Sequence, residues 1–321
     1  MRTILGFLIA ICLSAGVARA DGHVLNIAVL KFGTVNWLMK TIKDNGLDAA
    51  NGYELEVTGL ASGNATRVAL QAGEVDMIVA DWIWSLNRRA SGKDMRFSAY
   101  SRTLGKLMSS DSIGSLCDLR GKNVGVVGGP SDKSWIVLQA LTTKECGFDL
   151  AAETEGVYGA PPLMNKQMQS GDVEAVSTFW HFAARLEASG VKPLQPINEA
   201  MAKLGIDPAP PLIGFTWENG KVSDTTLSGF LKSVRAAGAL LADDDAAWEA
   251  LRERMKAKEN ATFTTLRDAY RAGIITADWT AADTAGAKAL YDLLTDKGGE
   301  EFKASAGPFD PAVFDAPAID G

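Results

Sequence analysis

The sequence predicts an α/β protein of two lobes, each a mostly parallel sheet flanked by helices, followed by a helical C-terminal tail. Three observations carry this expectation. Strands and helices alternate through the N-terminal half, a strand-entry pattern from that half recurs in the second, and the C-terminal part shows only helical spacing.

The apolar run Val24 to Leu30 reads as the first strand and ends in the turn Lys31-Phe32-Gly33-Thr34. Tyr53, Leu55 and Val57 alternate with Glu54, Glu56 and Thr58, the period of a strand with one wet face. The loop Ala61-Ser62-Gly63-Asn64 leads into a helix from Ala65 to Ala72, and Val75 to Ala80 is the next strand. This rhythm implies a sheet covered by helices. Leu70-Gln71-Ala72-Gly73-Glu74-Val75-Asp76 then recurs as Met168-Gln169-Ser170-Gly171-Asp172-Val173-Glu174. Each copy is a helix end, a glycine stop and an acidic-apolar-acidic step into a strand, since glycine supplies the left-handed cap that turns the chain. Each strand finishes on aromatics, Asp81-Trp82-Ile83-Trp84 and Phe179-Trp180-His181-Phe182. Ligands in open α/β sheets bind at such strand ends.

Ser98 to Ser109 and Pro211 to Trp217 are the candidate crossings between lobes. Residues 21–105 with 216–321 are assigned to lobe one and 106–215 to lobe two. In the tail, Leu227, Phe230, Leu231, Val234 and Leu241 fall at helical spacing, as do Trp248, Leu251 and Met255, and Leu290, Tyr291, Leu293 and Leu294. These helices are expected to pack on lobe one and brace the hinge.

Residues 1–20 read as a secretory leader: Arg2, an apolar run from Ile4 to Leu13, and Ala18-Arg19-Ala20 at the cleavage point. The run is shorter than the about 20 apolar residues a bilayer span needs. Cys12 follows Ile11 rather than a small residue, which argues against a lipid anchor. Cleavage after Ala20 into the periplasm is expected. The chain has 32 basic and 39 acidic side chains, a net of −7, which argues against nucleic acid or anionic membrane as partner. Cys117 and Cys146 remain after cleavage. They fall at one end of a strand–helix unit, so a disulfide is expected, with two separate buried thiols as the alternative.

In order and spacing, Ala61-Ser62-Gly63-Asn64-Ala65-Thr66, Leu70 to Asp76, Asp118-Leu119-Arg120-Gly121-Lys122-Asn123-Val124-Gly125-Val126 and Gln169 to Glu174 resemble the type II periplasmic binding proteins of ABC importers. The group is the one for nitrate, sulfonate, taurine (NitT/TauT, SsuA/TauA-like) and thiamine pyrimidines. The resemblance spans the mature chain. It implies a two-lobed fold that closes on a small-molecule ligand and docks on an ABC importer permease, with no cofactor. A monomer is expected. The same fold also serves as sensor domains and in a few enzymes.

Helix starts facing a cleft attract anionic oxygens through free N–H groups and a partial positive charge. Three are candidates: Ser62, Gly63, Asn64, Ala65 and Thr66, where by resemblance the ligand's polar group is held; Gly129, Ser131 and Trp135, with Asp132 weakening the anion case; and Asn36 with Trp37. Plain N-capping by Ser62 or Asn64 is the competing reading. Of Trp37, Trp82, Trp84, Trp135 and Trp180, at least two are expected in the core, with Trp82 and Trp180 as the expected two-sided clamp. Asp81 is a candidate for a ligand amine, and His181 for the cleft wall. The mixture points to a small organic ligand, sulfonate- or taurine-like or planar and nitrogen-containing. Two histidines, His23 and His181, argue against a zinc enzyme, and no G-x-S-x-G elbow or phosphate loop occurs. Chemistry by His181 with Cys146 or Asp81 is the reading left for an exported enzyme.

Overall fold

The apolar runs and glycine stops set the element order in the computed structural model, which describes residues 23–317. The expected leader, with Cys12 and the cleavage point, lies outside the described residues. The first lobe holds β1 (His23–Leu30), α1 (Val35–Asp44), α2 (Leu47–Ala50), β2 (Tyr53–Leu60), α3 (Gly63–Ala72), β3 (Met77–Asp81), α4 (Trp82–Ala90) and β4 (Met95–Ala99). The chain then crosses into β5 (Lys106–Ser109), β6 (Asn123–Val127), α5 (Lys133–Cys146), β7 (Glu155–Gly159), α6 (Pro161–Ser170), β8 (Ala175–Thr178), α7 (Trp180–Ala188), β9 (Lys192–Pro196) and α8 (Ile197–Lys203). It returns in β10 (Ile213–Glu218) and ends in α9 (Asp224–Asp243), α10 (Asp245–Glu249), α11 (Arg252–Met255), α12 (Asn260–Arg271), α13 (Ala281–Lys297) and α14 (Gly299–Ala306). No described helix is long and apolar enough to cross a membrane.

The two sheets have one topology, β2-β1-β3-β10-β4 and β7-β6-β8-β5-β9. In each, four strands point one way and the crossing strand, β10 or β5, runs against them. β10 pairs along its whole length with β3 and β4, so lobe one resumes at Ile213 rather than at 216.

The repeated strand entry has a repeated bonding pattern. Gly73 and Gly171 end α3 and α6 in the left-handed region. Asp76 then exchanges hydrogen bonds with Asn26 on β1: its N–H donates to the Asn26 carbonyl, and its carboxylate accepts the Asn26 N–H. Glu174 does the same with Asn123 on β6. The acidic residue thus satisfies a backbone N–H of the central strand, that of Asn26 within β1 and that of Asn123 at the start of β6.

β1 is apolar on both faces and packs α1 and α9 through Leu25, Ile27 and Val29 against Leu38, Phe230 and Leu231. Lobe two's largest core lies under α5, where Cys117 and Cys146 form the expected disulfide with Cα atoms 5.3 Å apart. The tail departs from expectation because it fastens both lobes. α9 packs on α1, but α12 packs on α7, α13 on α5 and α14 on α4. Leu290, Leu294, Phe302 and Phe314 therefore share one core with Trp82 of lobe one and Trp135 of lobe two.

Candidate functional site

Strand ends and helix starts of both lobes meet at a cavity of about 380 Å³, within the range of small-ligand sites. Lobe one contributes Leu30, Gly33, Thr34, Val35, Arg67 and Asp81; lobe two contributes Asp132, Lys133, Ser134, Phe179, Trp180 and His181. Both crossings close it, through Tyr100, Thr103, Leu104 and Gly105 on one side and Leu212 and Ile213 on the other. Leu30, Phe179 and Ile213 keep about two-fifths of their surface exposed, which gives the cavity an apolar rim.

At its polar centre, Asp81 caps α4 by accepting the Trp84 N–H at 3.0 Å. Its second oxygen meets Arg67 of α3 at 3.4 Å and Lys133 of α5 at 3.5 Å. The Lys133 pair joins the lobes across the cleft. Burial pushes the Asp81 carboxyl up, but Lys133, the Trp84 N–H and Arg67 outweigh it and hold it below the usual carboxylate range. Asp132 caps α5, its Oδ1 accepting the N–H groups of Ser134 and Trp135. Gly128, at φ 93°, makes room for this cap, since a β-carbon there would stand 2.7 Å from the Asp132 carboxylate. Burial raises the Asp132 carboxyl more than Lys133 and the two N–H groups lower it.

His181 lies against Phe182 and Trp180, with ring centroids 4.5 and 5.5 Å away. Burial, then the charge of Arg185, pushes its imidazole down to about 4, so it is neutral at physiological pH. Its Nδ1 is buried and finds no hydrogen-bond partner among the described residues. Trp180 reaches from lobe two into lobe one, edge-on to Trp37 and Tyr270, each at 5.9 Å. One turn on, Arg185 donates to the Met255 carbonyl at 2.6 Å.

Of the residues singled out from sequence, Asp81, Trp180 and His181 line the cavity. Several others are placed elsewhere. Trp82 is fully buried, donates from Nε1 to the Pro211 carbonyl at 3.1 Å, and packs edge-on to Phe309 and Phe314. It is a core residue and not half of a clamp, because the C-terminal segment folds over it. Trp135 is fully buried beneath α5, and Trp37 packs against Trp248 in the lobe-one core. The Asn36 amide turns inward to the carbonyls of Leu30 and Gly33, stapling the β1–α1 turn. Ser62 caps α3 by accepting the Ala65 N–H, and Thr66 is buried with its hydroxyl on the Gly63 carbonyl. Gly63, Asn64 and Ala65 share that first turn, but the cavity lining takes from α3 only Arg67, just past it. Gly129 and Ser131 belong to the loop before α5, which lines the cavity through Asp132, Lys133 and Ser134. Arg67 and Lys133 went unremarked in the sequence. Their positions just inside helices whose starts face the cleft are the signal that could have found them. Cys146 is bonded to Cys117 and has no thiol to pair with His181.

No family model matches the sequence, and no curated protein does. Solved structures do. The periplasmic aliphatic sulphonate binding protein SsuA from Escherichia coli superposes with a TM-score of 0.68 at 16% identity, covering 85% of this chain and 87% of that one. The alkanesulfonate-binding protein SsuA from Xanthomonas axonopodis pv. citri, bound to MOPS, gives 0.63 at 17% identity, with 84% and 93% covered. The desulfurization enzyme DSZB gives 0.58 at 14% identity, with 85% and 92% covered. The chain therefore has the two-lobed fold of the type II periplasmic binding proteins.

Proposed function

We propose that this protein is a periplasmic solute receptor that closes on a small organic ligand and delivers it to an ABC importer permease. The observation that supports this best is the cavity itself. It is built from helix starts of both lobes, floored by both crossings, and spanned by the Lys133–Asp81 pair. A ligand that touches both lobes gains contacts only in the closed form, which is what shifts a lobe-opening equilibrium. The likeness to sulfonate-binding proteins of import systems supports the transport role, with a sulfonate- or taurine-like or planar nitrogen-containing ligand.

The test is a thermal-shift screen of the protein from Asp21 onward against sulfonates, amino acids, pyrimidines and organic acids, followed by small-angle scattering with each hit. A receptor melts higher with its ligand and becomes more compact. A hit that leaves the scattering unchanged counts against closure. The likeness to a desulfurization enzyme favours a second reading, an exported enzyme. Mass spectrometry of each hit after incubation decides, since a receptor returns its ligand intact.

A further inference from the structure

We propose that a second cavity, walled off from the cleft by Tyr100, binds a small neutral aromatic molecule of two fused rings that carries one hydroxyl or N–H group. The site is separate from the cleft, so the inference goes beyond the receptor reading and does not depend on it.

The cavity holds about 290 Å³. Its walls come from α1, β4 and the first crossing, α9, the end of α12, the connection from there to α13, and the chain after α14. No residue from β5 to α8 lines it, so it belongs to lobe one and the tail. It shares a single residue with the cleft cavity, Tyr100, whose hydroxyl is engaged by Thr34 on the cleft side. Leu38, Phe97, Leu231, Ile274 and Trp279 make the other walls apolar and aromatic. An apolar cavity of about 150 Å³ takes one benzene ring, so this one has room for two fused rings.

Tyr270 adds an independent sign of a ligand. It is only 3% exposed, its ring set among Trp37, Trp180 and Trp248. Burial, then the neighbouring Tyr100, pushes its phenol up, so it stays a neutral hydroxyl that can donate or accept. No described residue hydrogen-bonds that hydroxyl. Its oxygen is not sealed in the core, and this cavity is the space that Tyr270 lines. A hydroxyl withdrawn from water without a partner is costly, and a guest with one polar group removes that cost.

The charges exclude an ion. Three charged side chains line the cavity, Arg102, Arg235 and Asp278, and each is already paired. Arg235 pairs with Asp278, and Arg102 donates to the buried Asp283 at 2.8 Å. A ligand with net charge would stand uncompensated among apolar walls or break one of these pairs. A neutral guest leaves both intact and gives Tyr270 its hydrogen bond.

The probes are 2-naphthol and indole, with naphthalene, 2-naphthoate and 2-naphthylmethylamine as controls, titrated calorimetrically into the protein from Asp21 onward. Both neutral polar probes are expected to bind about 10-fold or more tightly than either charged control. Tyr270→Phe, which keeps the ring, should weaken 2-naphthol about 10-fold and leave naphthalene unchanged. A wild-type crystal soaked in 2-naphthol should show the guest between Tyr100 and Trp279. Failure of both probes to bind, equal affinity for 2-naphthoate, or a 2-naphthol affinity indifferent to Tyr270→Phe overturns the inference. Density for 2-naphthol in the cleft instead does the same. So does binding that begins only once residues 318–321 are removed, since the cavity would then belong to the chain's own end. All of these outcomes leave the receptor reading standing, because that reading depends on the cleft. The wild-type ranking and the soaked crystal need no variant to fold.

Discussion

Acidifying the protein should cost it stability through His181. Burial and Arg185 hold the folded imidazole at about 4, against an ordinary value of 6.5. Because the folded value is depressed, the unfolded chain binds the proton first, and stability falls as pH drops from 6.5 toward 4. Between pH 7 and pH 5 the linkage amounts to about 2 kcal/mol, and the full shift to about 3 kcal/mol. The assay is urea unfolding at pH 7 and pH 5 on wild type and His181→Phe. His23, exposed on β1, is common to both proteins and cancels. Asp81 has a lowered folded value, so its contribution is lost only below the ordinary carboxylate range. Asp132 is raised and gives stability back as pH falls, again in both proteins. Wild type is expected to lose about 2 kcal/mol relative to the variant on going from pH 7 to pH 5. Parallel losses in wild type and variant would show that His181 is not held neutral by burial, and the account of its Nδ1 would fall with it.

Other outcomes follow from single contacts. Reducing Cys117–Cys146, which closes a separation of 29 residues, should cost about 3.5 kcal/mol on chain-entropy grounds, read as a lower melting temperature in reductant. Trp82→Ala should destabilise by about 3–5 kcal/mol and leave affinity for a cleft ligand within about twofold, whereas Trp180→Ala should weaken binding; equal effects of both on affinity would restore the clamp. Lys133→Met removes the ion pair that spans the cleft and should shift the ligand-free protein toward open forms by about 1 kcal/mol, or roughly fivefold, seen as a larger radius in scattering. Gly105→Ala would place a β-carbon 2.4 Å from the Thr178 carbonyl and should cost about 1–3 kcal/mol through overpacking, measured by urea unfolding.

Much of this molecule is legible in the sequence because the informative patterns are local. The glycine stop and acidic step mark β3 and β8 correctly, since the cap, the turn and the partner on the central strand all belong to one repeating unit. The disulfide is legible for the same reason, both cysteines lying at one end of a single strand–helix unit. Trp82 misleads because what covers it, Phe309 and Phe314, comes from the far end of the chain. Asp81 attracts notice beside Trp82, but its partners Arg67 and Lys133 sit on helices of different lobes, and no spacing rule joins them. The tail shows its helical periodicity and conceals its destination, since an apolar stripe does not say which lobe it meets. Helix starts identify candidate sites, and side-chain caps then decide which are open, a distinction only coordinates supply.

The tail that fastens both lobes also sets when the protein can finish folding. Phe302, Ala306, Val313 and Phe314, fully or almost fully buried, complete the core that holds Trp82 and Trp135. A growing chain emerges N-terminus first, so it acquires those side chains only after both lobes have been made. Until then α4 and α5 lack their cover and the lobes lack the helices that join them. A nascent chain built this way stays unfinished until α14 and the segment that follows it have been made.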